Sequence, residues 1–255
     1  MTEDTQRLTT TETSLQVIEI LRSEDGSTPD QLATALNMAP STVYKHLSTL
    51  AEYGFVVKDG DEYCLGTRFY DLGMYARNRN KVYNLAGQYV VELADRADEE
   101  SDFGVEENGR IITLFNSLGN RSNPSTRINN YEYMRTTAIG KAILAELPES
   151  RVSEILDQWE LPEMTTHTTT TREDLLAELK RVKEQGYAIN DQESIPGKRV
   201  TGMAVTHRSG HIIGGFTISG PEYRIDEVDL HQEFPDILQR VIQKFKSELE
   251  TKSIL

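Results

Sequence analysis

The sequence predicts an α+β protein with two domains, an N-terminal winged helix-turn-helix and a larger C-terminal domain of strands and helices. Three short helical patterns lie between Thr13 and Gly54, and FVVKDGDEYCLG then predicts two short strands joined by a tight turn. From Phe103 onward, strand-like segments alternate with helical ones, and the chain ends in an amphipathic helix. A chain of 255 residues is long enough to bury two such cores.

The first two helices are marked by the residues at their ends. We expect the first helix to begin at Thr13 and to end at the polar segment SEDGS, residues 23–27. In TPDQLATAL, Thr28 suits the N-cap, Pro29 the first helical position and Gln31 the reciprocal capping partner. The second helix is therefore short, and a third follows it within a few residues.

The third helix and a hairpin complete the winged helix-turn-helix. Pro40 begins the helix and Gly54 ends it, with apolar residues at helical spacing along one side. Strands are predicted at 55–58 and 62–65, because Asp59-Gly60 is a favoured hairpin turn. Three short helices followed directly by a tight hairpin are typical of this DNA-binding fold.

A linker helix and an α+β domain follow the hairpin. The predicted boundaries are a loose arm at 1–12, the winged helix-turn-helix at 13–66, the linker helix at 67–80 and the second domain at 81–255. In the second domain we predict strands near 102–107, 110–117, 128–134, 187–190, 200–207 and 211–219, and helices near 138–147, 150–159 and 172–186.

Composition narrows the class of protein. The formal net charge is -14, and residues 1–80 hold 12 acidic and 7 basic side chains (-5), which leaves -9 for the rest. This acidity is typical either of a protein from a salt-rich cytoplasm, where surface charge is screened, or of an ordinary acidic protein.

No apolar run approaches the ~20 residues of a membrane span, and MTEDTQRLTT is not a signal peptide. Cys64 is the only cysteine, which excludes an internal disulfide, and we expect a cytoplasmic protein with no membrane partner.

The third helix carries a polar face suited to nucleic acid. In helix-turn-helix proteins this helix enters the major groove, where lysine and hydroxyl groups contact bases or phosphates. The residues expected to face DNA are Ser41, Thr42, Tyr44 and Lys45 on this helix, Lys58 in the wing and Arg7 in the arm. His46 faces either the DNA backbone or the protein's own wing. Because cations are few, we expect a dimer at least, with two subunits on two half-sites of double-stranded DNA. The alternative is a winged helix used for protein contacts.

Several motifs resemble one known family. SLQVIEIL, LATALNMAPSTVYKHLSTLAEYGFV and YCLGTRFYDLG resemble the DNA-binding end of the IclR-type transcriptional regulators. RTTAIGKAILAELP at 135–148, TTHTTTTREDLLAELKRVKEQGYAINDQE at 165–193 and GGFTISGP at 214–221 resemble their effector domain in order and spacing. The resemblance covers nearly the whole chain, least so the arm and the loop at 118–130.

The resemblance implies a GAF-like effector-binding domain. A small organic ligand bound there would act through the linker helix on how paired winged helices sit on an operator. Family members form homodimers and often homotetramers. The implied function is a ligand-responsive transcriptional regulator.

The resemblance also implies the positions of an effector pocket. They fall on Ala138, Ile139, Asn190, Val200, Thr217 and Ser219. Asn190 stands where many members have Asp, and Val200 supplies no hydrogen bond, so the pocket is expected to be neutral and mixed, with no cation among the mapped positions. Backbone amides at the start of the 138–147 helix are suited to a carboxylate. An organic acid and a sugar derivative both fit.

Two other functions compete with this one. The second domain could serve oligomerisation alone, and Ile139 and Met203 would then fill the pocket with the protein's own side chains. An enzyme fused to a winged helix is less favoured, because AIGKA around Lys141 lacks the glycine spacing of a phosphate loop. His207 and His211 lie in a predicted strand-turn-strand, so no metal site is expected. We predict no catalytic residue and no cofactor.

Overall fold

The structure is a computed structural model that describes residues 8–122, 131–159 and 162–254. The chain divides into two compact units, Met1–Arg79 and Asn80–Leu255. Within the described ranges, no helix combines the length and the apolar character needed to cross a membrane.

The first unit is the predicted winged helix-turn-helix, followed by one more helix. Its elements are α1 (Thr9–Ser23), α2 (Pro29–Ala35), α3 (Pro40–Glu52), β1 (Val56–Asp59), β2 (Glu62–Leu65) and α4 (Arg68–Asn78). The predicted capping box at the start of α2 is present. One small core joins the three helices to the hairpin, and its buried residues are Val17, Leu21, Leu32, Ala33, Val43, Leu47 and Val56.

Helix α1 begins earlier than predicted. It starts at Thr9 rather than Thr13, so that residues 9–12 of the predicted arm are helical. The hydroxyl of Thr13 donates to the carbonyl of Thr9 at 2.9 Å, and Thr13 is buried one turn before Val17. Thr13 therefore lies inside the helix, on the face that packs on the core, rather than at its start.

The hairpin turn lies one residue later than predicted. Asp59 pairs with Glu62, so the two loop residues are Gly60 and Asp61. Gly60 has a φ of 59°, and a two-residue hairpin loop requires such a positive φ at its first position. Glycine takes this conformation without a steric penalty, which is why it opens the turn.

The second unit is an antiparallel sheet with helices on both faces. Its elements are α5 (Lys81–Ala97), β3 (Glu100–Glu107), β4 (Arg110–Ser117), β5 (Tyr131–Tyr133), α6 (Ala138–Glu146), α7 (Glu149–Gln158), α8 (Arg172–Gln185), β6 (Ala188–Asp191), β7 (Lys198–Thr206), β8 (Ile212–Pro221) and α9 (Phe234–Thr251). The strand order is β5-β4-β3-β8-β7-β6. The predicted α+β fold class is confirmed; residues 128–130 of one predicted strand lie outside the described residues.

The two faces of the sheet pack against different helices. Phe103 and Phe216 are cross-strand partners, and the ring of Phe245 in α9 lies 5.4 Å from that of Phe216. Side chains alternate along a strand, so the next pair, Gly104 and Gly215, faces the opposite side. Helix α6 lies on the glycine side of the sheet, and α5 and α9 cover the side that carries Phe103 and Phe216.

Glycines in three strands make room for the start of α6. A Cβ atom at Gly202 would lie 2.8 Å from the backbone nitrogen of Ile139. Cβ atoms at Gly215 and Gly104 would lie 2.9 Å and 3.1 Å from the Ile139 side chain. The N-terminal turn of α6 therefore contacts the sheet backbone more closely than any side chain would allow.

Candidate functional site

The polar face of α3 is exposed as predicted. Ser41, Tyr44 and Lys45 are exposed and Thr42 is half-buried, while Val43 packs in the core. Tyr44 keeps 52% of its surface exposed. Lys58 is exposed on the wing, and Arg7 lies outside the described residues.

His46 is not part of this exposed face. It is buried, and its Nδ1 atom lies 2.8 Å from the hydroxyl oxygen of Ser14 in α1. The prediction that His46 faces DNA or the wing is therefore wrong. Its position three residues after Val43 and directly before Leu47 places it on the buried side of α3, where it joins α3 to α1.

The second unit contains a cavity of about 60 Å³ beside the N-terminal end of α6. Its lining comes from the N-terminal end of α6, the β6–β7 loop and residues on all six strands of the sheet. Of the seven residues placed at the pocket from the sequence, the structure brings five together around this cavity: Ala138, Ile139, Asn190, Val200 and Thr217.

Two of the seven residues do not line the cavity. Met203 pairs with Phe216 and packs against the core under α9. Because Gly202 faces α6, the alternation of the strand turns Met203 to the opposite face, so it does not fill the pocket. The hydroxyl of Ser219 donates to Oε2 of Glu100 at 3.2 Å, outside the cavity lining.

Asn190 lines the cavity but uses its amide within the protein. Its Nδ2 group donates to the carbonyl of Thr136 at 2.7 Å and to the hydroxyl of Ser194 at 2.9 Å. Its Oδ1 atom accepts from the backbone N–H of Glu193 at 2.8 Å. Asn190 is buried, and these three bonds fix the β6–β7 loop against the start of α6.

The cavity is charged, so the prediction of a neutral pocket is wrong, and its charged residues lie outside the positions mapped from the sequence. Asp102, Glu132 and Lys198 line it, and Lys198 forms an ion pair with Glu100 at 2.7 Å. The side-chain amide of Asn116 donates to Glu100 at 2.8 Å and to Asp102 at 2.7 Å. Asp102, Glu132 and Lys198 lie on β3, β5 and β7, which are not neighbours in the sheet, so no local sequence motif brings them together.

Burial and charge shift the pKa values of these groups in opposite directions. Burial raises the pKa of Asp102 and raises that of Glu132 to about 7. Burial also raises the pKa of Glu100, but the opposite effect of the Lys198 charge is larger. The pKa of Glu100 therefore lies below its usual range. Burial alone would lower the pKa of Lys198, yet the charges of Glu100 and Asp102 raise it. Lys198 therefore stays protonated, and its positive charge mainly neutralises the negative charge of Glu100.

The N-terminal turn of α6 is already capped. The hydroxyl of Thr137 accepts from the backbone N–H of Gly140 at 3.1 Å. The residues of this turn that reach the cavity lining are Thr137, Ala138 and Ile139.

Lys141 has a structural position. Its side chain is fully buried, and its ammonium lies 2.5 Å from both Glu178 in α8 and Glu193 in the β6–β7 loop. Burial raises the pKa of Glu193 despite this contact. The ion triad of Lys141, Glu178 and Glu193 therefore joins α6, α8 and the loop that borders the cavity.

The predicted strand-turn-strand around HRSGH is confirmed. Strand β7 ends before His207 and β8 begins after His211, with Gly210 at a φ of 85° in the turn. His207 contacts the hydroxyl of Ser209 at 2.7 Å. No group of three or more His, Cys, Asp or Glu side chains suited to a metal ion occurs among the residues that the structure describes.

Comparison with known proteins gives a consistent result over most of the chain. Residues 10–60 match the profile described as IclR helix-turn-helix domain, and residues 74–246 match that described as Bacterial transcriptional regulator IclR C-terminal. A probable HTH-type transcriptional regulator ArcR of Halobacterium salinarum is 30% identical over an alignment of 251 residues. The alignment covers 96% of this chain and 95% of that one.

Solved structures share the fold. A putative transcriptional regulator from Rhodococcus sp. RHA1 matches with a TM-score of 0.77 at 22% identity, over 96% of this chain and 99% of the other. The Thermotoga maritima IclR matches with a TM-score of 0.71 at 24% identity, over 95% and 99% of the two chains.

Proposed function

This chain belongs to the IclR family of transcriptional regulators, and we propose that it binds operator DNA through α3 and responds to a small organic ligand in the cavity. The observation that carries the first part is the exposed polar face of α3 in a winged helix. We assign contacts with base edges and phosphates in the major groove to Ser41, Thr42, Tyr44 and Lys45, on the support of their exposure. The protein is a regulator rather than an enzyme, and it acts in the cytoplasm, where its operator lies.

The electrostatics of the first unit favour binding in pairs. Lys45 and Lys58 are exposed on α3 and the wing, while residues 1–80 as a whole are acidic. Few phosphate contacts give weak binding per subunit, so a second subunit on a second half-site is needed for useful affinity. We therefore infer a homodimer, or a homotetramer built from two such dimers.

The cavity supports the second part of the proposal. The oligomerisation alternative expects Ile139 and Met203 to fill this space. Ile139 lines the cavity, but Met203 faces away, and about 60 Å³ stays open. A solved IclR homologue from Microbacterium hydrocarbonoxydans, with a TM-score of 0.71 at 16% identity, is a complex with 4-hydroxybenzoate. In this chain, Ala138, Ile139, Val200 and Thr217 are the residues we assign to ligand contact.

The proposed mechanism is a shift between two arrangements of the dimer. The ligand acts only if its affinity differs between the arrangement that fits the operator and the one that does not. Helix α4, within the linker, would transmit this difference to the distance between the two α3 helices.

Operator binding by the full chain tests the proposal. The probe is the DNA upstream of the protein's own gene, measured by gel shift over a range of KCl concentrations. Lys45→Ala should weaken specific binding about tenfold, because a lysine contact in the major groove contributes roughly 1–3 kcal/mol. The matched control is Lys180→Ala, which removes an exposed lysine from α8 in the second unit.

The outcomes separate the possibilities. Binding that persists in molar KCl would indicate a regulator adapted to high salt, in keeping with the relative from Halobacterium salinarum. If a folded wild-type protein bound no upstream DNA with or without candidate ligands, the winged helix would have another partner. An equal effect of both lysine substitutions would place DNA recognition away from α3.

A further inference from the structure

The cavity beside α6 carries an excess of negative charge. Asp102 and Glu132 line it directly, and Glu100 lies behind them, whereas Lys198 is the cation that borders it. Lys198 is paired with Glu100 at 2.7 Å, so the two remaining carboxylates face the cavity without an ion-pair partner of their own in the described part of the chain. A site that binds a carboxylate needs positive charge, whereas the charge facing this cavity is negative.

The two carboxylates differ in how the protein contacts them. Asp102 accepts from the Asn116 amide at 2.7 Å and from the Thr217 hydroxyl at 3.3 Å. The carboxylate of Glu132 forms no hydrogen bond or ion pair with any residue among those that the structure describes, although the side chain borders the cavity. A largely enclosed carboxylate with no protein partner is an acceptor left available to a ligand.

We propose that the effector is a small organic cation whose positively charged group is bound by Glu132 and Asp102. The inference rests on the proposed function, since it assumes that this cavity is the effector site. A cation would supply the charge and the N–H donors that the two carboxylates lack. An anionic effector would instead add negative charge beside carboxylates that are already enclosed.

The rest of the lining fits the body of such a ligand. Ile139, Ile195 and Val200 give the cavity apolar walls beside the carboxylates. A planar amidinium or guanidinium group matches a carboxylate with two parallel N–H donors, which gives direction as well as strength. The small volume, about 60 Å³, limits the group that enters the structure as it stands to a few heavy atoms.

Three probes of nearly the same shape but different charge test the proposal: acetamidinium, acetamide and acetate. Binding of each to the full-length protein is measured by ligand-observed NMR at constant ionic strength and about pH 8. We expect acetamidinium to bind most tightly and acetate least. Glu132→Gln should weaken acetamidinium about tenfold or more, as for loss of a hydrogen bond to a charged group, and should leave acetamide unaffected.

Glu107→Gln is the matched control. It removes the same charge from an exposed position on β3, outside the cavity lining. Acetamidinium binding unchanged by this substitution but lost in Glu132→Gln would support the proposal. Tighter binding of acetate than of acetamidinium would overturn it, as would binding of acetamidinium that is equal in the two variants.

Operator binding is measured on the same samples. If the wild-type protein binds operator but none of the three probes, the inference about the cation is wrong while the proposed DNA function stands. If the protein binds acetamidinium in a Glu132-dependent way but binds no operator, the proposed regulatory function fails and the assignment of the cavity to a cation survives.

Discussion

At the scale of single residues, Glu132 gives the protein a pH-dependent stability. Its pKa is about 7 in the folded protein against an ordinary value of 4.5, because burial disfavours the carboxylate. Lys198 and Arg110 lower this pKa, but Asp102 and Glu100 raise it with burial. Between pH 4.5 and about pH 7, Glu132 is protonated in the folded protein but ionised in the unfolded chain. The free energy of unfolding therefore falls as the pH rises through this range.

We therefore expect Glu132→Gln to stabilise the protein at about pH 8, by on the order of 1–3 kcal/mol, and to have little effect near the ordinary pKa of glutamate. Urea unfolding of wild type and variant at both pH values measures the difference. Glu107→Gln again serves as the control, because its carboxyl is exposed. If Glu132→Gln destabilised the protein equally at both pH values, the carboxylate would not be the source of the effect.

Like Glu132, Lys141 is expected to affect stability because its charged group is buried. Its ammonium balances Glu178 and Glu193, and its side chain has no exposed surface. Lys141→Met leaves two carboxylates without their cation, and we expect a loss of about 3–5 kcal/mol in the free energy of unfolding. Lys180→Met, on the exposed side of α8, should change it by less than about 0.5 kcal/mol. Equal stability of the two variants in chemical unfolding would contradict the structural role of the triad.

At the scale of elements, the position of α6 depends on glycine in the sheet. A Cβ atom at Gly202 would meet the Ile139 nitrogen at 2.8 Å and Ala138 at a similar distance, both of them backbone atoms that cannot rotate away. We expect Gly202→Ala to cost about 1–3 kcal/mol and to shift the turn that lines the cavity. Gly73→Ala in α4 meets nothing within 4 Å, and it should be neutral or stabilising, since alanine favours a helix.

Thermal unfolding compares these two glycine variants. If Gly202→Ala unfolds at the wild-type temperature, the sheet has moved away from α6 at little cost. The close contact would then not determine where α6 lies.

At the scale of the whole molecule, α4 is the helix through which we expect two copies to associate. None of its residues is buried, and Tyr70 and Tyr75 keep 73% and 71% of their surface exposed. Large exposed aromatic side chains on one helix are typical of an interface. We expect the double variant Tyr70→Ser, Tyr75→Ser to dissociate into smaller species in light scattering and to lose operator affinity with it.

Tyr53→Ser, at the end of α3, is the control for the measurement of mass. A double variant that keeps the wild-type mass would place the contact between copies elsewhere on the chain. Retained mass with lost operator binding would instead connect α4 directly to the DNA-binding state.

The local pattern of residues determined most of the fold. Thr28, Pro29 and Gln31 form the capping box at α2 as predicted, because capping involves groups only three residues apart. The polar face of α3 followed from helical periodicity, and the strands and helices of the second unit followed from alternation and capping. Ala138 and Asn190, which the family resemblance assigned to a pocket, line a cavity in the structure.

The chemistry of the cavity was decided only by the tertiary structure. Asp102, Glu132 and Lys198 lie on three different strands, and their meeting depends on strand order and register, which no stretch of sequence encodes by itself. The same is true of His46, whose partner in α1 lies 32 residues away. Charges and hydrogen bonds act over a few ångströms in space, whatever the distance along the chain. The pocket predicted to be neutral is therefore acidic in the folded sheet, which brings Asp102 and Glu132 to it.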